Sequence, residues 1–190
     1  MPNPPLISAI DTPAALIDLR RMQRNIARMQ ARMNALGVRF RPHAKTAKSP
    51  DVNRAQMAAG AQGITVSTLK EAEQFFADGV TDILYAVGMA PHKLPQALAL
   101  LRKGCALQII TDNVAGATAI AEFGRAQDAV FDVLIEVDTD GHRSGIQPEE
   151  DALIAVGRAL HDGGMRLAGV MTHAGGSYDL NTPEALTAMA

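Results

Sequence analysis

Short apolar runs alternate with stretches of helical periodicity along nearly the whole chain. The runs at 14–19, 38–41, 63–67, 82–87, 106–111, 130–137 and 166–172 are bounded by turn-forming residues, which predicts strands. Between the first two, Met22, Ile26, Met29, Met33 and Leu36 recur at spacings of four and three, which predicts a helix with one buried face. Arg20, Arg24, Arg28 and Arg32 form a separate ridge at i, i+4 spacing, read as the solvated side of that helix. Gly37 is placed to end it in a left-handed conformation.

Further helices are expected from near Pro50, Leu69, Pro91, Asn113 and Glu149. Thr68 and Glu71 have the spacing of a capping box, and Asp112 is placed to cap the helix carrying Val114, Ala117, Ile120 and Phe123. Gly60, Gly104 and Gly163 follow helices as C-terminal breaks, and Thr182-Pro183 opens a last helix. Strands that alternate with helices imply parallel β/α units. Six such units follow the first helix. A closed barrel needs eight, in roughly 250 residues. The chain is therefore either an open α/β sheet or the front of a (β/α)8 barrel, and the residues below favour the barrel.

Composition narrows the setting. The 190 residues are 47% hydrophobic with a net charge of −2, enough for one globular core and no reason to expect nucleic acid or an anionic membrane as partner. No apolar run approaches the ~20 residues that span a bilayer. Residues 1–8 lack a basic stretch followed by an apolar one, so no signal peptide is expected. Cys105 is the only cysteine, which rules out an internal disulfide and fits a cytoplasmic protein.

Three strand ends carry candidate chemistry. Arg41-Pro42-His43-Ala44-Lys45-Thr46 follows the run at 38–41, on the edge where barrels place reacting groups. Semi-burial of Lys45 there would favour the neutral amine that a Schiff base requires. Taken alone, Lys45 reads rather as an exposed loop lysine, since lysines are mostly exposed. The run at 130–137 leads into Glu136-Val-Asp-Thr-Asp-Gly-His-Arg143-Ser-Gly145, which would bring Arg143 to the same edge to bind a phenolate or carboxylate oxygen, with His142 as an ordinary loop residue. The last run ends in His173-Ala-Gly-Gly-Ser-Tyr178: the imidazole could stack on a flat ring, Tyr178 could bond a substrate or cofactor oxygen, and Gly175 and Gly176 would allow close backbone approach. Tyr85 is expected in the core, and His92 and His161 on the surface.

From Asp11-Thr-Pro-Ala-Ala-Leu-Ile-Asp18 through Tyr178 the chain resembles the D-serine dehydratase and D-threonine aldolase family, whose barrel is of the alanine racemase type. The string Arg41-Pro-His-Ala-Lys-Thr46 is the most specific motif. The stretches 63–76, 82–87 and 136–145 resemble most the branch that dehydrates D-threo-3-hydroxyaspartate. The resemblance implies a partial (β/α)8 barrel over 21–190, with 1–20 joining a β-rich second domain as a strand. It implies pyridoxal 5'-phosphate as cofactor, Lys45 as its Schiff-base lysine, and Arg143, His173 and Tyr178 as cofactor contacts. It further implies a divalent metal, zinc in the family, and phosphate-binding loops, both held after Ala190, and a homodimer when full length.

Two departures bear on substrate. Ala47 stands where many members have a histidine, and Glu136 stands where alanine racemases carry a carbamylated lysine, which disfavours racemisation. The expected activity is a lyase that converts a 3-hydroxy-D-amino acid, such as D-threo-3-hydroxyaspartate or D-serine, to an oxoacid and ammonia. The alternatives are retro-aldol cleavage on the same scaffold, and a non-catalytic cofactor carrier or inactive fragment. The 190 residues alone are expected to be inactive, since the phosphate loops would lie outside them.

Overall fold

A computed structural model describes residues 7–190. Most of the stretch read for a signal peptide therefore lies outside the described residues. The helices are α1 (Leu19–Ala35), α2 (Pro50–Ala58), α3 (Leu69–Ala77), α4 (Leu94–Arg102), α5 (Val114–Ala126), α6 (Asp151–Asp162) and α7 (Pro183–Met189). The strands are β1 (Ile64–Val66), β2 (Asp82–Gly88), β3 (Ala106–Thr111), β4 (Asp132–Val137) and β5 (Arg166–Thr172). All pair in parallel, in the order β1-β2-β3-β4-β5, as successive right-handed β/α units require.

The segment at 38–41 is extended but forms no strand; only His43 bridges to Thr65. Pro42 is the physical reason. Thr65 N–H donates to Pro42 O and Ala44 N–H to Thr65 O, but the next rung back would need the N–H that proline lacks. Pairing slips, and Gln62 N–H bonds Phe40 O instead. The Arg41 side chain replaces the lost rungs. Its Nη2 grips both Asp82 oxygens at 2.7 and 2.8 Å, while Nη1 donates to Ile64 O and Asp82 O at 3.3 and 3.4 Å. Gly63 makes room for this clamp: with φ +74, a Cβ there would collide with Arg41 Nη1 and stand 2.8 Å from Asp82 O.

Alternation along the strands divides the sheet into two faces. Ile83, Tyr85, Leu107, Ile109, Val133 and Ile135 pack outward beneath Leu69, Phe75, Leu98, Ile120, Val156 and Leu160 of the helices. Leu84, Ile110, Leu134 and Glu136 lie on the opposite face, where a barrel has its interior. β5 would lose this phase without a bulge. Leu167 pairs with Val133, but Gly169 pairs with Leu134, so one extra residue enters β5. Gly169, at φ +139, takes the backbone conformation the bulge needs. Beyond it Met171 pairs with Glu136, so Met171 and then His173 follow the interior parity.

Several local expectations change. Residues 14–18 form no strand among the described residues, and Leu19 already belongs to α1, capped by Asp18. The apolar stripe of α1 is only partly covered: Met22, Ile26 and Met33 are half-buried, whereas Met29 and Leu36 are exposed and Gln30 is the buried residue. The cap of α5 is Asn113, whose side chain accepts from Gly116 N–H, and not Asp112, which accepts from the Asn113 amide. The helix expected from Pro91 starts as a 3-10 turn, Pro91–Lys93. Gly163 ends α6 in a right-handed conformation, and Gly164 carries the positive φ. The capping box at Thr68–Glu71 and the left-handed Gly37 are present as expected. Tyr85 is fully buried, and His92 and His161 are exposed.

Candidate active site

After the His43–Thr65 bridge the chain turns through 44–47 and presents Lys45. The turn is held from inside: Lys45 N–H donates to His43 Nδ1 at 3.3 Å, and Lys48 N–H to Ala44 O at 2.9 Å. Its far end is tied to α3. Lys48, strained at φ 46, places Nζ 3.0 Å from Glu71 Oε1, and Glu71 also accepts from Ser67 and Thr68 N–H. Burial alone would raise the Glu71 carboxyl, but Lys48 and the two backbone N–H groups outweigh it and hold it below its ordinary range. The Lys45 side chain itself is exposed, so the semi-burial expected of it is not found in this chain. No described strand covers it beyond the edge of β1, which leaves it open to water.

At the end of β4, Glu136 is 8% exposed and points to the interior face. Burial raises its carboxyl above the usual range, with Asp112 and Asp138 adding to the effect and Ser144 and Arg143 opposing it. The following loop folds back on the strand: Asp138 N–H bonds Ile146 O and Ile146 N–H bonds Glu136 O, both at 3.0 Å. Gly145, at φ +127, permits this, because a Cβ there would stand 2.5 Å from Asp138 N. Asp138 closes the loop by accepting from Gly141 N–H at 2.9 Å. Arg143 is exposed at the loop's crest, its stem laid over Gly175, where a Cβ would come within 2.8 Å of Arg143 Cγ.

β5 delivers His173 beside this loop. Its Nε2 lies 3.0 Å from Tyr178 Oη across the 3-10 turn Gly175–Asp179, with the rings tilted at 57°. Burial lowers the His173 pKa, and the positive charges of Arg143 and then Lys45 lower it further, against a smaller opposing pull from Asp140. His43 is lowered in the same way, by burial first and Lys45 second. Lys45 comes from one edge of the sheet and His173 from the other. The charge of Lys45 nevertheless bears on the His173 imidazole, after burial and the charge of Arg143.

The structure thus lays Arg143 against the turn that follows His173, sets Tyr178, 71% exposed, behind His173, and presents Lys45 from the opposite edge of the sheet. Sequence reasoning did not single out His43, Glu71 or Asp140. His43 was legible, two residues before the lysine inside the same motif. Asp140 left a weaker trace in Asp138-Thr-Asp-Gly141, a pattern that fits many turns.

Residues 17–189 match the alanine racemase N-terminal domain. The chain belongs to this family. It is 70% identical over 182 residues to the D-threo-3-hydroxyaspartate dehydratase of Delftia sp. strain HT23, covering 95% of this chain and 48% of that protein. The solved structure of the Delftia enzyme superimposes with a TM-score of 0.93 at 69% identity, again over 95% of this chain and 48% of the other. A D-threonine aldolase of an Arthrobacter species is 32% identical over 186 residues, covering 96% of this chain and 48% of the aldolase. The chain spans about half the length of the curated relatives it matches. The five-stranded parallel sheet with its helices is accordingly a partial barrel of the alanine racemase type. No helix of the described residues is long and apolar enough to cross a membrane.

Proposed function

We propose that this chain is the cofactor-bearing part of a pyridoxal-phosphate-dependent lyase that dehydrates a 3-hydroxy-D-amino acid, D-threo-3-hydroxyaspartate first and D-serine second. The observation that carries this reading is the 70% identity over 182 residues to the Delftia dehydratase; the charges of Arg143 and Lys45 that bear on His173 support it. The donor set suits the cofactor: a primary amine for its aldehyde, a guanidinium for its phenolic oxygen, and an imidazole whose pKa is lowered by burial and by two neighbouring cations. Bound there, pyridoxal phosphate supplies an electron sink for the pair released at the substrate Cα.

The chain's own residues divide the remaining work. Lys45 would hold the cofactor through its amine and would serve as the base for the substrate's Cα proton. Arg143 would donate to the cofactor's phenolic oxygen. His173 would lie beside the cofactor ring, and Tyr178 holds the His173 Nε2 position through the 3.0 Å hydrogen bond. Loss of the Cα proton and the β-hydroxyl, followed by hydrolysis, gives the oxoacid and ammonia.

No group of three or more His, Cys, Asp or Glu side chains among the described residues could hold a metal ion, so the family's zinc has no ligand set here and no step is assigned to it. Residues 1–20 are assigned to the second domain and 21–190 to the barrel. The full-length protein is assigned as a cytoplasmic homodimer.

The test is borohydride reduction of the full-length protein with pyridoxal phosphate, followed by peptide mapping. A pyridoxyl adduct on Lys45 is expected; an adduct on Lys48, Lys70 or Lys103 instead would refute the assignment. Product analysis with D-threo-3-hydroxyaspartate then separates ammonia and oxoacid, the expected pair, from the glycine and aldehyde of an aldolase.

A further inference from the structure

β4 and β5 stay paired up to Val137 and Thr172, and then separate into the loop bearing Arg143 and the turn bearing Tyr178. Past that point no backbone–backbone hydrogen bond joins the two segments among the described residues. Two side-chain contacts bridge the gap. One is the Thr139–Thr172 hydroxyl pair at 3.0 Å. The other is Asp140, whose Oδ2 accepts Gly176 N–H at 2.7 Å while its Oδ1 accepts His142 N–H at 3.2 Å. One carboxylate therefore holds the residue beside Arg143 with one oxygen and the turn after His173 with the other.

The surroundings are shaped around this contact. A Cβ at Gly176 would lie 3.2 Å from Asp140 Oδ2 and 3.4 Å from His142 Nδ1. Next to it, a Cβ at Gly175 would press on the Arg143 stem. Two successive glycines thus let the turn approach the loop closely enough for the bond to form. The Asp140 side chain is 12% exposed. The Gly176 N–H is the main reason its carboxyl sits below the ordinary range; partial burial opposes, and the His142 N–H adds to the lowering.

We propose that Asp140 is a positioning residue: its carboxylate clasps the turn after β5 to the loop after β4 and so sets Arg143 against the His173–Tyr178 pair. It touches neither the cofactor nor the substrate. Its catalytic consequence rests on the function proposed above, whereas the clasp itself does not.

The test uses the full-length protein with Asp140→Ala and the near-isosteric Asp140→Asn. Cofactor-free protein is read first, by hydrogen exchange at the Gly176 amide and NMR titration of His173. Removal of the acceptor should speed Gly176 exchange by about tenfold or more, the loss of one charge-assisted hydrogen bond. It should also lower the His173 titration midpoint, since the Asp140 charge opposes the lowering by Arg143 and Lys45. In the loaded enzyme kcat should fall by about tenfold or more with KM little changed, and Asp140→Asn, which keeps one acceptor oxygen, should fall between wild type and Asp140→Ala. Should Asp140→Ala fail to fold, Asp140→Asn alone carries the test, with partial changes in Gly176 exchange and kcat and the same lowering of the His173 midpoint, since it too lacks the charge. Unchanged Gly176 exchange, or faster exchange with kcat at the wild-type value in an active enzyme, overturns the proposal. Changes in exchange and titration in a protein whose Lys45 takes no cofactor would leave the clasp standing and remove the proposed function.

Discussion

The middle of the sheet and its two flanks are built for different purposes. In β2, β3 and β4, Ile83, Tyr85, Ile109 and Val133 are wholly buried beneath α3 to α6. On the flanks, Met29 of α1 is 46% exposed and Val170 of β5 is 62% exposed. The candidate chemistry follows the flanks: Lys45 comes before β1, and His173 and Tyr178 follow β5. Only Arg143 comes from a covered strand, and it stands at the end of a long loop. The middle thus serves as a stiff span whose curl fixes the gap between residues that pack loosely. Strength and reactivity are separated along the sheet instead of being layered from bottom to top.

That comparison is most easily broken by cutting both regions alike. Ile109→Ala in the middle should cost about 2–5 kcal/mol, the range for deleting a fully buried aliphatic side chain, while Val170→Ala on the flank should stay within about 0.5 kcal/mol. Urea denaturation of the two variants decides it, and equal costs would erase the distinction.

The next effect tests whether the Lys45 flank is held by one side chain. Arg41→Ala leaves Asp82 and two carbonyls without their donor, and should destabilise by about 2–3 kcal/mol. Because residues 38–43 have a single bridge and few ladder bonds, hydrogen exchange should rise there first, before any change in β2 or β3.

The smallest effect is one of sign. Glu136 has its folded pKa raised by burial, so the folded state binds its proton more tightly than the unfolded chain. The resulting penalty is present above the folded value and disappears as pH falls below the ordinary carboxyl range. Glu136→Gln should therefore stabilise by on the order of 1 kcal/mol at pH 7, with the gain vanishing near pH 4. Thermal unfolding at both pH values checks it; a loss of stability at pH 7 would mean that the charge is fully compensated where it sits.

The strands and helices of the middle were readable because one signal dominates there: buried apolar positions at the period of the element. Ala106–Thr111 came out residue for residue; on the flank only Arg166–Thr172 did so. The flanks were harder because single residues decide them. Pro42 removes one N–H and turns an expected strand into a bridge. The stripe on α1 has the right period but too little opposite it to bury Met29 and Leu36, and periodicity does not report what lies across from a face. At the site, the residue types of Lys45, Arg143 and His173 could be read, but the ties that hold them could not. Asp140 reaches Gly176 across 36 positions, and nothing local in either segment announces the other.

The extra residue in β5 has a consequence for inheritance. Side chains on a strand work as a two-state counter, and the bulge at Gly169 advances that counter by one. Leu167 and Val170 both face the helix side of the sheet because of it, an arrangement that strict alternation forbids. Loss of Val170 alone, a residue paired beyond the bulge, would keep every residue named in the site, yet it would turn His173 toward α6 and put Thr172 in its place at the mouth. Substitutions at this position are a matter of degree, whereas a one-residue deletion is a parity error. Lineages carrying this fold should accept altered side chains around 170 far more readily than any change in how many residues stand between Gly169 and His173.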